Sequence, residues 1–297
     1  MLNNEVNKVP IKKDSLLSFS QPSVELKGDV LIVAANKEYI DLFFDQIWNS
    51  FKNNLPDWQL FLIIVGKDSD ELMSFEKKYM VYEGVSVSSA LISLPEYVEY
   101  NKNWRGLSDE YLKMLAVKRF KGNFFLRQLC KFFLKLKVSP TVFLSKKFLI
   151  SDWFRVVYSC SRFVVPRNFF LNCNKIAVVD IDSVITSSFD DVVSSAKTLS
   201  CMKSKNKWSR YLAGIVVLPN NNIIQDFYTL MNSKTIDAYY EGRFSWGVDQ
   251  LILDDVMNSL EGTELINAMC FNLKNRNGEA LVSWKGNEKF KVRPLDE

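Results

Sequence analysis

Two carboxylates, Asp180 and Asp182, follow an apolar run of strand length, Ile176-Ala177-Val178-Val179, with no polar spacer. A strand repeats every two residues, so acids at i and i+2 point the same way where a sheet meets solvent. Open α/β sheets bind ligands at the carboxyl ends of their strands. Two hard oxygen ligands there suit Mg²⁺ or Mn²⁺ holding a diphosphate. A second such pair, Asp68 and Asp70, follows Gly66-Lys67 and precedes Glu71-Leu72. That placement reads as the acidic first turn of a helix.

Histidine is absent from the 297 residues. This excludes Ser-His and Cys-His nucleophile systems, a histidine base and imidazole metal ligands. Catalysis must run on carboxylates, Lys, Arg, amides, hydroxyls or a metal. The cysteines (130, 160, 173, 201 and 270) are odd in number and scattered, which argues for reduced thiols in a cytoplasm. No apolar run reaches the ~18 residues needed to span a bilayer. The start of the chain lacks a signal-peptide core. Hydrophobic content of 47% and 24% charged residues fit a globular protein that buries a sizeable core.

The elements that must position the acids read as an alternating α/β chain. Residues 1 to 27 form a polar lead. Buried strands are expected at 30–35, 58–65 and 85–94, with helices from about 37 to 51 and 70 to 79 between them. On the first helix Leu42, Phe43, Ile47 and Phe51 fall at helical spacing. A basic block, 102 to 147, carries twelve Lys or Arg against Asp109 and Glu110. It reads helical from about 109 to 137. Helical pieces at 151–163 and 166–171 precede the acidic strand at 176–180, and a helix starts near Asp190. A strand at 213–218, a helix to about Met231, a helix at 248–259 and a strand at 264–271 complete the chain. This is a mostly parallel, Rossmann-like sheet flanked by helices.

Several patterns stand in a set order around the acids. Ala34-Ala35-Asn36-Lys37-Glu38-Tyr39 follows the first strand. Tyr158-Ser159-Cys160-Ser161-Arg162 precedes the acidic strand. Leu212-Ala213-Gly214, then Trp246-Gly247-Val248-Asp249-Gln250, then Ser283-Trp284-Lys285-Gly286-Asn287-Glu288-Lys289 follow it. Together they resemble the nucleotide-sugar glycosyltransferases of the GT-A fold. Within them the likeness is to the retaining family that includes bacterial lipooligosaccharide galactosyltransferases and glycogenin. It covers roughly residues 28 to 291. The resemblance implies one GT-A domain over 28–297, with the basic helical insert at about 102–147.

It also implies roles. Ala35, Asn36 and Tyr39 would hold the nucleotide base, and Arg162 would touch the donor. Asp180 and Asp182 would bind Mn²⁺ or Mg²⁺ between the diphosphate oxygens. Asp249 and Gln250 would lie near the anomeric centre, and Gly286 and Lys289 would meet the phosphates. Three positions depart from the family pattern. Asn36 stands for its usual Asp, Leu212 for an Asn that contacts the sugar, and Ser283 for a metal-binding His.

The implied activity is metal-dependent transfer of a sugar from a nucleotide diphosphate sugar to a saccharide or lipid-linked glycan, in cell-envelope polysaccharide synthesis. An inverting transferase would instead need a carboxylate base, for which Asp249, Asp254 and Asp255 are candidates. A sugar-phosphate nucleotidyltransferase is the alternative enzyme, but it wants a Gly-rich basic loop after the first strand, and residues 34–40 contain neither Gly nor Arg. A non-catalytic sugar-nucleotide-binding protein is the third reading, favoured by Leu212 and Ser283. The basic block, with Phe124, Phe125, Phe132 and Phe133 among its cations, reads as a core helix with a solvated face. Its alternative is a helix held on the anionic inner membrane face. Nucleic acid is not expected, since no reader motif accompanies the charge.

Overall fold

The computed structural model describes residues 15–93, 124–125, 128, 146–188, 190, 193, 196–203, 209–240, 247–260, 264–265, 271–272 and 281–283. The elements are β1 (Leu17–Phe19), β2 (Lys27–Asn36), α1 (Lys37–Asn54), β3 (Gln59–Gly66), α2 (Ser69–Tyr79) and β4 (Val85–Ile92). Then come α3 (Lys146–Ser161), a 3-10 turn (Arg167–Phe170), β5 (Asn172–Val179), β6 (Ser183–Ile185), β7 (Ser200–Lys203) and β8 (Tyr211–Leu218). The chain continues with α4 (Asn221–Tyr240), α5 (Val248–Ser259), β9 (Glu264–Leu265), β10 (Phe271–Asn272) and β11 (Leu281–Ser283).

Eight strands form one sheet in the order β1-β4-β3-β2-β5-β8-β7-β9. β4, β3, β2 and β5 run parallel, and β8 is antiparallel to β5. From β2 the chain builds outward to β3 and β4, then returns to place β5 on the other side of β2. The order therefore reverses between β2 and β5, whose carboxyl ends carry Asn36 and Asp180. A small second sheet, β10-β11-β6, stands just beyond the end of β5.

Alternation along the strands produces two cores. Val30, Ile32 and Ala34 of β2 join Phe61, Ile63 and Val65 of β3 on one face, packed with residues of α3, α4 and α5. Leu31, Val33 and Ala35, with Leu60, Leu62 and Ile64, face the other way onto α1 and α2. Both faces of these parallel strands are covered, which explains why they read as unbroken apolar runs. On α1 the buried residues are Ile40, Phe43, Phe44, Ile47 and Phe51. Leu42, expected on that stripe, is exposed, because the covered side is centred on Phe43 and Phe44.

Part of the expected polar lead belongs to the fold. β1 pairs antiparallel with β4, and Leu16, Leu17 and Leu26 are buried. Serines hold this segment: Ser86 Oγ donates to the Val24 carbonyl at 2.7 Å and Ser88 Oγ to the Ser20 carbonyl at 2.8 Å. The expected strand at 264–271 is instead β9, followed in a different sheet by β10. The helix expected to stop near Met231 runs to Tyr240. The helix expected over 109–137 lies outside the described residues, apart from exposed Phe124 and Phe125 and a helical residue at 128.

Candidate functional site

Asp180 is the first residue past β5, and Ile181 and Asp182 form the turn into β6. Both acids are half-buried. The pair Asp68/Asp70 serves otherwise, as its position suggested: the Asp68 carboxylate caps α2, accepting from the backbone N–H of Asp70 and of Glu71 at 2.9 Å each.

Arg162 ties the site together. It lies just past the end of α3 and is 5% exposed. Its Nη1 is 2.7 Å from Asp180 Oδ1, and its Nη2 is 3.9 Å from Asp249 Oδ2. Nη2 also donates to the Ala213 carbonyl at 2.9 Å, on β8. Three segments predicted separately, around Arg162, Asp180 and Asp249, thus meet in one cluster, with the Leu212-Ala213-Gly214 strand against it. Arg162 is a buried bridge between the acids. A planar guanidinium suits this, since its fork can engage two partners at once.

Asp249 arrives by way of a glycine. Gly247 has φ 84, a left-handed conformation that a side chain disfavours. Its carbonyl accepts from the N–H of Gln250 and Leu251 at 3.2 and 3.3 Å, opening α5 with Asp249 in the first turn. That inward-facing turn buries Asp249. Burial pushes its carboxyl above the usual range; Arg162 opposes the shift and the nearby Asp180 adds to it. The sign follows. A raised folded value means that the folded state holds the proton over a pH range where the unfolded chain has lost it. Stability therefore falls as pH rises from about 4 through the raised value. Asp249→Asn is expected to melt higher than wild type at neutral pH, with the gap closing on acidification. Arg162 keeps Asp180 as its partner in that variant. A gap in melting temperature that is constant or widens toward low pH would refute this.

Among the described residues, three buried polar atoms of this neighbourhood lack a hydrogen-bond partner: Arg162 Nε, Ser183 Oγ and Gln250 Oε1. Such groups cost ~1–3 kcal/mol each when left unpaired, so they mark places where a ligand has something to offer. Ser183 was not anticipated. Its position next to Asp182 was the available signal.

At the other strand end, the Asn36 side chain caps α1, accepting from the Tyr39 N–H at 3.4 Å. Asn36 lines a cavity of about 210 Å³ at the carboxyl ends of β2 and β3, with Lys37, Glu38, Lys67, Asp68 and Tyr158 among its neighbours. Ala35 is buried in the core, so its backbone is what the site can use. The Tyr39 ring packs against Phe43 at 5.7 Å between centroids. The aromatic rings that line this cavity are Phe75 of α2 and Tyr158, the latter four residues before Arg162. The Tyr158 phenol is pushed up by burial and by Glu38.

β11 pairs antiparallel with β6 and sets Ser283 opposite Ser183. The end of β11 therefore lies beside the first residue of β6, which directly follows Asp182. Gly286 and Lys289 lie outside the described residues, as do Trp246 and Trp284. Among the described residues no cluster of three or more Cys, Asp or Glu side chains is set to hold a metal by itself. The oxygen donors at hand are Asp180, Asp182 and Ser183.

No family model matches the chain, and no curated protein matches its sequence. In structure it is similar to glycosyltransferases. The glycosyltransferase GlyE of Streptococcus pneumoniae TIGR4 aligns at 12% identity and a TM-score of 0.42, over 82% of this chain and 46% of that one. The chain thus spans less than half the length of GlyE. Galactosyltransferase LgtC, in complex with donor and acceptor sugar analogs, aligns at 12% identity and a TM-score of 0.46, over 87% of both chains. An active-site mutant of LgtC aligns at 11% and 0.44 with the same coverage.

Proposed function

We propose that the chain is a metal-dependent glycosyltransferase that moves a sugar from a nucleotide diphosphate sugar to a saccharide or lipid-linked glycan. One observation carries this reading: Arg162 joins Asp180, at the end of β5, to Asp249, at the start of α5, at the point where the strand order reverses. Ligands of open α/β sheets bind at such a crevice.

The residues fit a hard divalent ion. Asp180 gives one oxygen to Arg162 and has a second; Asp182 and the Ser183 hydroxyl stand beside it. Diphosphate oxygens and water would complete the shell. Bound there, Mg²⁺ or Mn²⁺ would offset the charge that grows on the departing diphosphate. Arg162 fixes the direction of Asp180 and keeps a positive charge behind it. Asn36 and the cavity at the ends of β2 and β3 would receive the nucleoside. Gln250 Oε1, a buried acceptor without a donor, suits a sugar hydroxyl. Asp249 would face the positive charge that develops at the anomeric carbon as its bond to the diphosphate breaks. The acceptor hydroxyl oxygen would form the new bond to the anomeric carbon, and its proton would pass to the departing diphosphate. Gly286 and Lys289 would add backbone and charge at the phosphates. Retention of configuration and a role in cell-envelope polysaccharide synthesis belong to this reading through the family resemblance.

A thermal-shift panel of nucleotide sugars with and without Mn²⁺, followed by donor hydrolysis, tests it. Stabilisation by a donor that depends on metal, with hydrolysis, is expected. Stabilisation without hydrolysis points to the non-catalytic binder, and no response to any donor rejects both.

Ser283→His is expected to tighten Mn²⁺ about ten-fold when donor is bound, since imidazole is the better ligand. The register opposite Ser183 motivates the test. Unchanged affinity in a metal titration removes Ser283 from the ligand position.

We also assign the basic block to an anionic membrane surface, on the inner membrane face of a cytoplasmic enzyme. No helix among the described residues is long and apolar enough to cross a membrane. Phe124 and Phe125 are exposed, and each Lys or Arg near such a surface contributes about 1 kcal/mol. Sedimentation with anionic vesicles should be strong at low salt and weak at high salt. Equal recovery with neutral vesicles, or none with either, ends the assignment.

A further inference from the structure

A cavity of about 500 Å³ lies between the 165–168 turn and α4, apart from the acidic cluster. Its volume falls within the ~300–1,000 Å³ of small-ligand sites. On α4 its lining recurs as Tyr228 and Thr229, Asn232 and Ser233, Ile236 and Asp237, a stripe one helical turn apart. The core-facing side of α4 is taken by Ile224, Phe227, Tyr228, Met231 and Ala238, so Tyr228 stands where the core meets the cavity. Beyond Tyr228 the stripe is a second, mostly polar face of Thr229, Asn232, Ser233, Ile236 and Asp237.

The lining has the makings of a polyol site. Among the described residues, the side chains of Asn168, Asn232 and Ser233 form no hydrogen bond. Each amide offers both donors and an acceptor, and the hydroxyl offers both functions. Val165, Pro166 and Ile236 supply an apolar wall for the C–H face of a ring. The mouth is braced: Arg167 Nη1 donates to Thr229 Oγ1 at 3.2 Å, and Gln225 Nε2 donates to the Arg167 carbonyl at 3.1 Å. Arg167 and Asp237 carry opposite charges, so the cavity has no net field to attract a diphosphate.

We infer that this cavity is a second carbohydrate site, which takes a neutral saccharide of about disaccharide size. It has a physical link to the acidic cluster. Tyr228 lines the cavity and donates its hydroxyl to the Arg162 carbonyl at 3.3 Å. A glycan held here would be anchored beside the segment that carries the Asp180–Arg162–Asp249 pairing. Binding requires nothing of the transfer reaction and stands or falls separately from it.

The test is ligand-observed NMR on the full chain, with neutral di- and trisaccharides of glucose and of galactose and with inorganic phosphate as control. At least one saccharide is expected to bind with Kd of about 10 mM or tighter. Asn232→Ala should weaken it roughly five-fold, the worth of one hydrogen bond. Ser233→Trp, which fills the cavity from an exposed position, should abolish it. Asp182→Ala should bind as wild type does. No signal from any saccharide, or stronger binding of phosphate, overturns the site. Binding lost in Asp182→Ala also overturns it, because the saccharide would then sit at the strand end. Should Ser233→Trp misfold, Asn232→Ala decides: wild-type affinity there rejects the cavity as the place of binding.

Discussion

On the proposed function, replacing Asp182 with Ala is expected to leave a folded chain with sugar transfer slowed at least ~10²-fold, because loss of a metal ligand would remove several kcal/mol of transition-state stabilisation. The fold should survive. Asp182 sits half-buried in the turn between β5 and β6, outside the buried Arg162–Asp249 pairing. The cation that the two carboxylates would hold would offset the charge growing on a departing diphosphate, so the loss should appear in kcat with donor saturating. A melting curve close to wild type must accompany it. Wild-type turnover in the variant, or full activity of the native chain in excess EDTA, would remove the metal role from this strand end. Asp182→Glu, one methylene longer, should recover part of the rate if ligation is what matters.

How much of this was legible in the sequence differs from element to element. The buried parallel strands were, because strands covered on both faces must be apolar throughout, as Val30–Ala35 and Leu60–Val65 are. α5 was found with its bounds at Val248 and Ser259, since Gly247 marks the start and apolar residues repeat at helical spacing. The short strands were not. β1, β6, β7 and β11 have three or four residues each, too few for a period to show. Their pairing is set by partners distant in sequence, as Ser283 is set opposite Ser183. α4 was read too short because Asn232 and Ser233 are poor helix formers. Burial of Ala238 and Tyr239 overrides that preference, and Thr235 Oγ1 bonds back to the Met231 carbonyl at 2.6 Å.

The same division holds at the candidate site. Asp180 was legible because it directly follows the apolar run of β5; Asp182 lies in the turn beyond it, where the strand period no longer sets its direction. Arg162 was picked out as a residue, but not as a bridge. Nothing local says that its guanidinium reaches both Asp180 and an acid 87 positions later in the chain. Likewise Asn36 was read as a base contact, and its visible work is to cap α1. Residues at the sheet's reversal point can serve the fold and a ligand together, and pattern alone does not separate the two.

Arg162→Ala should therefore be the most damaging single change to stability in this cluster. It removes the counter-charge of Asp180 and of buried Asp249, and the donor to the Ala213 carbonyl. Breaking a buried ion pair by deleting one partner typically costs about 3–5 kcal/mol. In a chain of this size that corresponds to a fall in Tm of roughly 5–15 °C. The pH dependence carries the diagnosis. Arg162 holds the Asp249 carboxyl down against burial, so its loss lets that carboxyl rise further. The variant should then be closest to wild type in acid and fall behind as pH rises and the stranded carboxylate must ionise. Arg162→Lys keeps the charge on one arm and should land between the two, since an ammonium lacks the fork that spans both acids. Adding Asp249→Asn to Arg162→Ala should recover part of the loss, a coupling that a double-mutant cycle reads directly. If Arg162→Ala melts within a degree or two of wild type at neutral pH, or if the two substitutions simply add, Arg162 is not the bridge that holds Asp180 and Asp249 in place.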